Sequence, residues 1–244
     1  DVDIRVKRNF ILLKACIFFL RRDYGEAGVC LEQLDAALPT DEFLRWDERV
    51  FSHLFSGLLS LETNRIDAAR EKAAGIKRIL DRTSWIDIRD WVGAYIHLYN
   101  GEVLLKSGSP PRSVSACGKA RFSRIPGWVV LFGGLRFVKY NFPFIQDTLA
   151  RAHLRDGDVD GAIGVYEKLT ASDRTGRDRR LIYPPFHFRL ARLYRQRGDL
   201  QKAARAFSRF ISLWKDCDSL FQPMIQKARE ELMVLTESET DTPH

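Results

Sequence analysis

Apolar and polar residues follow one another along this chain with a helical period, in paired runs broken by short polar turns. The clearest pair is Phe188 to Trp214, FRLARLYRQRGDLQKAARAFSRFISLW, in which Gly198-Asp199 separates two amphipathic stretches. A second pair of the same design surrounds Gly157-Asp158. Similar pairs span 4–38, broken at Asp23-Tyr24-Gly25 and ended by Pro39, then 46–80, turning at Asn64, and 86–121, turning at Gly108 with Pro110 and Pro111 opening the second helix. Asn suits the turn at position 64 because it tolerates positive φ better than most residues. A final apolar face formed by Met224, Ala228, Leu232 and Leu235 predicts a single amphipathic helix over 219–235 that covers the last pair. Paired helical runs along the chain make the expected class all-α.

The residues at the helix crossings give the pattern a name. Counting from Pro184, Leu190, Ala191, Tyr194, Gly198, Ala203 and Phe207 fall at places 7, 8, 11, 15, 20 and 24. Counting from Pro143, Leu149, Ala150, His153, Gly157, Ala162 and Tyr166 do the same. This spacing of large, small and aromatic residues resembles the tetratricopeptide repeat, in a degenerate bacterial-type array. Small residues sit where two antiparallel helices come closest, and aromatic ones fill the gaps beside them. Ala15, Gly57 and Gly101 take the eighth place in the three earlier pairs. The two good units start 41 residues apart, and the excess over the 34-residue period of the family falls in the Arg-rich connection SDRTGRDRRLIY, an enlarged loop between repeats.

The resemblance implies a right-handed α-solenoid of about five helical hairpins at 4–38, 46–80, 86–121, 143–171 and 184–214. A capping helix over 219–235 and a disordered acidic tail over 236–244 complete a single superhelical domain. It also implies a non-enzymatic scaffold for protein binding, fused in many bacterial proteins to a signalling kinase or a transcription regulator. The chain starts at Asp1 and not at Met, which leaves room for such a partner domain.

Charge adds a candidate ligand. The formal net charge is +7, and between Arg174 and Arg209 eleven Lys or Arg residues face two acids, Asp178 and Asp199. In the resembled family the first helix of each repeat lines the concave groove. By that correspondence Arg151, Arg155, Arg189, Arg192 and Arg195 converge on one inner surface and receive an acidic peptide or protein segment, because guanidinium forks match carboxylates and steer acidic partners. Family members that grip a terminal carboxylate use Lys and Asn there; the arginines here exclude carrying over that specificity. The same positive charge would suit nucleic acid, but basic and aromatic residues are not interleaved as stacking platforms require.

Other chemistry is sparse. Asp156, Asp158, Asp160 and Glu167 satisfy the calcium-loop template D-x-D-x-D-G-x5-E, yet the repeat reading makes Gly157-Asp158 a turn and the next residues a helix, so the match is taken as a decoy, with Asp158 capping the helix. No nucleophile elbow, phosphate loop or zinc motif occurs, the five histidines are scattered, and no cofactor or metal is expected. Glu230-Glu231 is read as a solvated helix face. Cys16, Cys30, Cys117 and Cys217 lack CxxC spacing and are read as core thiols in a reducing, cytoplasmic setting. The run Phe10 to Leu20 is too short to span a membrane and is interrupted by Lys14. Between the third and fourth pairs, GWVVLFGGLRFVKYNF breaks the repeat. It is read as an irregular buried helix, or as an interface for self-association or a partner through Trp128, Phe132 and Phe137.

Overall fold

The computed structural model describes residues 4–40, 46–82, 86–120, 145, 147–171 and 183–240. They form helices with no strand among the described residues. In chain order these are α1 (Ile4–Leu20), α2 (Tyr24–Ala37), α3 (Trp46–Glu62), α4 (Ile66–Asp81), α5 (Ile86–Lys106), α6 (Pro110–Cys117), α7 (Thr148–Arg155), α8 (Val159–Thr170), α9 (Pro185–Arg197), α10 (Leu200–Trp214) and α11 (Gln222–Thr240), the last preceded by a single 3-10 turn at Ser219–Phe221. The terminal helix thus continues to Thr240, past Leu235 where its apolar face ends. Contacts divide the chain into two units, Asp1–Ala152 and His153–His244, where the sequence alone reads as one domain. Trp128, Phe132 and Phe137 lie outside the described residues, as does the Arg-rich connection from 172 to 182.

In the first unit each helix packs on its neighbour in sequence: α1 on α2, α2 on α3, α3 on α4, α4 on α5 and α5 on α6. This is the arrangement of a helical repeat, in which each hairpin buries its apolar face against the next. The turns follow from backbone chemistry. Asn64 takes a left-handed φ of 59° between α3 and α4, and Gly108 one of 77° between α5 and α6. The first turn departs from the reading of Asp23-Tyr24-Gly25 as its centre. Arg22 carries the left-handed φ, at 60°, while the Asp23 carboxylate accepts from the Glu26 amide and caps α2, so Tyr24 and Gly25 already belong to the helix.

Small residues set the approach of successive hairpins. The Tyr99 ring lies across Gly57, and its hydroxyl donates to the Ala69 carbonyl at 2.7 Å, so α5 is keyed to both α3 and α4. A Cβ at position 57 would overlap the Tyr99 hydroxyl. Gly57→Ala should therefore destabilise the first unit by about 1–3 kcal/mol through overpacking, measured as a shift of the urea midpoint with unchanged m-value. An unchanged midpoint would refute this account of the α3–α5 contact. Gly101 plays the same part within the third hairpin: the Cys117 sulfur fills the space a Cβ would need, and Ser113 donates to the Gly101 carbonyl at 2.7 Å. The Ser and Cys that replace the family's Ala and aromatic residue are thus fitted to a glycine opposite them.

The second unit repeats the logic with larger rings. Ala162, Ala191, Ala203, Phe207 and Tyr166 are all buried. Phe188 meets Phe207 and Phe210 at 5.8 and 5.3 Å between ring centroids, and Phe210 leads on to Trp214 and Phe221. α9 ends at Gly198, whose φ of 87° only glycine adopts without strain. α8 packs on α9, and α11 packs on α10.

Candidate functional site

The α9 sequence FRLARLYRQR alternates core and surface at helical spacing. Phe186, Phe188, Leu190, Ala191, Leu193 and Tyr194 face inward, which leaves Arg192 and Arg195, one turn apart, on the outside. Both point to one carboxylate. Arg195 Nη1 lies 3.2 Å from Glu231 Oε2, and Arg192 Nε 3.8 Å from Glu231 Oε1. Glu231 belongs to α11 and is itself buried, on the same face as Ile225, Ala228 and Leu235. Its Oε2 receives no aligned hydrogen bond, so the contact with Arg195 is an ion pair by distance rather than a directed bond. The arginines remain 51% and 40% exposed at their side chains, against 10% for the glutamate. The cluster therefore presents surplus positive charge to solvent around a buried acid.

Glu231 corrects the reading of Glu230-Glu231 as a solvated pair. Glu230 is exposed and accepts from Gln226, whereas Glu231 replaces an apolar residue on the packing face. The helical wheel of α11 places residue 231 beside Ala228 and Leu235, and a basic row on α9 was the available sign of what would pair with it.

The other arginines of the expected groove are held differently. Arg189 lies over the Phe186 ring at 6.0 Å, and Arg155 is exposed at the end of α7. Arg151 belongs to the first unit and is committed to it. Its Nη1 and Nη2 donate to Glu102 at 2.9 and 2.5 Å, and its Nε to Asp147 at 3.2 Å, while Thr148 donates to the same Glu102 at 2.9 Å. Glu102, Asp147 and Thr148 are buried. Burial alone would push the Glu102 carboxyl up; the Arg151 guanidinium and the hydroxyl of Thr148 outweigh it and hold the group below the ordinary carboxylate value. The five arginines thus divide between two units, and those that meet at a common point are Arg192 and Arg195.

The four acids of the calcium-loop pattern have separate occupations. Asp158 caps α8 by accepting from the Gly161 amide at 2.8 Å and pairs with His153 Nδ1 at 2.8 Å. Asp160 pairs with Arg197 at 2.8 Å, and Glu167 accepts from the Tyr194 hydroxyl at 2.6 Å. Asp156 is exposed in the turn. Residues 159–170 are helix, so these side chains are spread around a helical turn and onto its far end instead of wrapping a common centre. The cysteines are free thiols; Cys16, Cys30 and Cys117 are buried, and burial pushes the Cys117 thiol up to about 11. No helix among the described residues is long and apolar enough to cross a membrane.

An all-helical chain built from hairpins packed in sequence, with arginines outward on one first helix, defines a helical-repeat protein. Residues 148–180 and 187–216 each match a family model of the tetratricopeptide repeat. That stretch carries two tetratricopeptide repeats, and repeats of this family serve as protein–protein interaction modules. No curated protein matches the chain.

Proposed function

We propose that the protein is a non-catalytic interaction module that binds an acidic segment of a partner protein, with Arg192 and Arg195 as its principal contacts and Arg155 and Arg189 adding positive charge within the same unit. As such it would serve as the regulatory or recruiting part of a larger signalling or transcription-regulating system in the cytoplasm. One observation carries this reading: two half-exposed guanidinium groups share a single buried carboxylate, so among the described residues positive charge outnumbers negative at this point. Arginine forks bind carboxylates at two points, and the exposed N–H donors here keep that capacity. Glu231 draws both side chains to one point, so an incoming carboxylate meets two guanidinium groups already close together.

The test is fluorescence anisotropy with a labelled peptide of mixed Asp and Glu against the whole chain, with a Lys-containing peptide of equal length as control. Arg192→Gln with Arg195→Gln should weaken the acidic peptide by about 1.5–3 kcal/mol. A parallel melt separates lost binding from lost packing of α11. Equal affinity for the two peptides, or for the variant and the wild type, would remove the acidic-segment reading. A steep fall of affinity for non-specific DNA with added salt would support a nucleic-acid ligand in its place.

A further inference from the structure

We infer that the outward face of α1 is a docking surface for an amphipathic helix, acidic along one edge, that forms the second helix of another helical hairpin.

The helix α1, IRVKRNFILLKACIFFL, is apolar on two sides. Leu12, Ala15, Cys16 and Phe19 turn inward and are buried with Arg8. Val6, Phe10, Leu13 and Ile17 turn outward at spacings of four, three and four residues and are exposed, Phe10 to 67%. That spacing is the seam by which one helix lies along another. One residue beyond Val6 and Leu13 stand Lys7 and Lys14, and seven beyond Lys14 stands Arg21; all three are exposed and follow one edge of the seam. α1 has no acidic residue to balance them.

The later hairpins show what this seam is for. Taking Ala15, Gly57, Gly101 and Ala191 as the same place in four first helices, Phe10, Leu13 and Ile17 correspond to Ser52, Phe55 and Leu59 in α3. In α5 they correspond to Ile96, Tyr99 and Val103. Ser52, Phe55, Leu59, Tyr99 and Val103 are buried, and Ile96 is packed against the core. They are buried in part against the hairpin before them. Ser52 donates to Asp35 of α2, Gly28 of α2 faces the Leu59 side chain, and Tyr99 reaches the Ala69 carbonyl of α4. Phe186 of α9, the counterpart of Phe10, meets Tyr166 of α8 at 5.9 Å. Even the basic edge has a counterpart: Arg49, in the place of Lys7, donates to the Pro39 carbonyl at the end of the first hairpin. In α1 the same positions have no helix over them among the described residues.

Charge selects the occupant. A second copy docked through the same seam in antiparallel register would oppose Lys7, Lys14 and Arg21 to themselves, which is unfavourable. A helix with Asp or Glu along the facing edge meets the row with opposite sign. Whether that helix binds is independent of Arg192 and Arg195.

The experiment uses two labelled helical peptides with the same leucine seam, one flanked by Glu and one by Lys, titrated against the whole chain by anisotropy. The Glu-flanked peptide should bind about tenfold more tightly, and Phe10→Asp should abolish its binding. The reversal Lys7→Glu/Lys14→Glu/Arg21→Glu should invert the preference, which a general loss of structure could not do. Equal affinity of the two peptides for the wild type would overturn the proposal, as would indifference to the triple reversal. Two other results would also overturn it: a dimer by light scattering that Phe10→Asp dissolves, which would assign the face to a second copy, and Phe10-dependent binding to phosphatidylserine vesicles in preference to either peptide, which would assign it to a lipid surface.

Discussion

Arg8→Met should cost the first unit about 3–5 kcal/mol, the range for removing one member of a buried ion pair. Arg8 and Glu48 are 7% and 5% exposed at their side chains, with Nε and Oε2 2.6 Å apart. Neither atom makes an aligned hydrogen bond, so the attraction is chiefly between charges in a site with little water to replace it. Arg8 Nη1 also donates to the Ala37 carbonyl at 3.3 Å, at the end of α2. One guanidinium thus joins α1, α2 and α3. Without it the buried Glu48 loses this cation, and the end of α2 loses a donor. The double variant Arg8→Met/Glu48→Leu should recover most of the loss, because well-packed apolar residues often replace a buried pair at no net cost. Urea unfolding followed by circular dichroism measures all three chains. A single-variant loss below about 1 kcal/mol would show that water reaches the pair.

Arg8 and Glu48 also mark where sequence reasoning stops. The hairpins were legible because helix crossings demand small residues at fixed places: Ala150, Ala162, Ala191 and Ala203 are fully buried at the places the repeat assigns them. The turns at Asn64, Gly108, Gly157 and Gly198 were legible because left-handed φ favours Asn and Gly. Arg22 was not, since nothing in an arginine announces that conformation. The decisive ionic contacts join residues about 35 to 50 positions apart: Arg8 to Glu48, Glu102 to Arg151, Arg195 to Glu231. Local periodicity says that Glu102 lies near Gly101 on the packing face, but not which arginine will meet it. Arg151 was placed among ligand-facing side chains by family correspondence, and in the structure it neutralises a buried carboxylate of its own unit. The excess of apolar residues from Phe10 to Leu20 was visible, yet its division into an inward and an outward face appears only once the neighbours of α1 are known.

The network around Glu102 gives the second large effect, and it is one that pH can read. Glu102→Leu leaves the Thr148 hydroxyl buried without that acceptor and removes the carboxylate to which Arg151 Nη1 and Nη2 donate, while Asp147 still accepts from the Arg151 Nε and the Thr148 hydroxyl from Nη2. The Arg151 side chain is 30% exposed and regains some hydration, so the expected loss lies at the lower end of the buried-pair range, about 3 kcal/mol at neutral pH. The carboxyl is held below its unfolded value, so the folded state binds fewer protons than the unfolded state between the two values. Its contribution is complete above the ordinary carboxylate range and is lost as pH falls through the depressed value. The wild type and Glu102→Leu should therefore converge on acidification, the gap between their unfolding midpoints narrowing as pH falls below the ordinary carboxylate value. A gap that persists unchanged in acid would mean that Glu102 acts by shape and packing, with its charge contributing nothing.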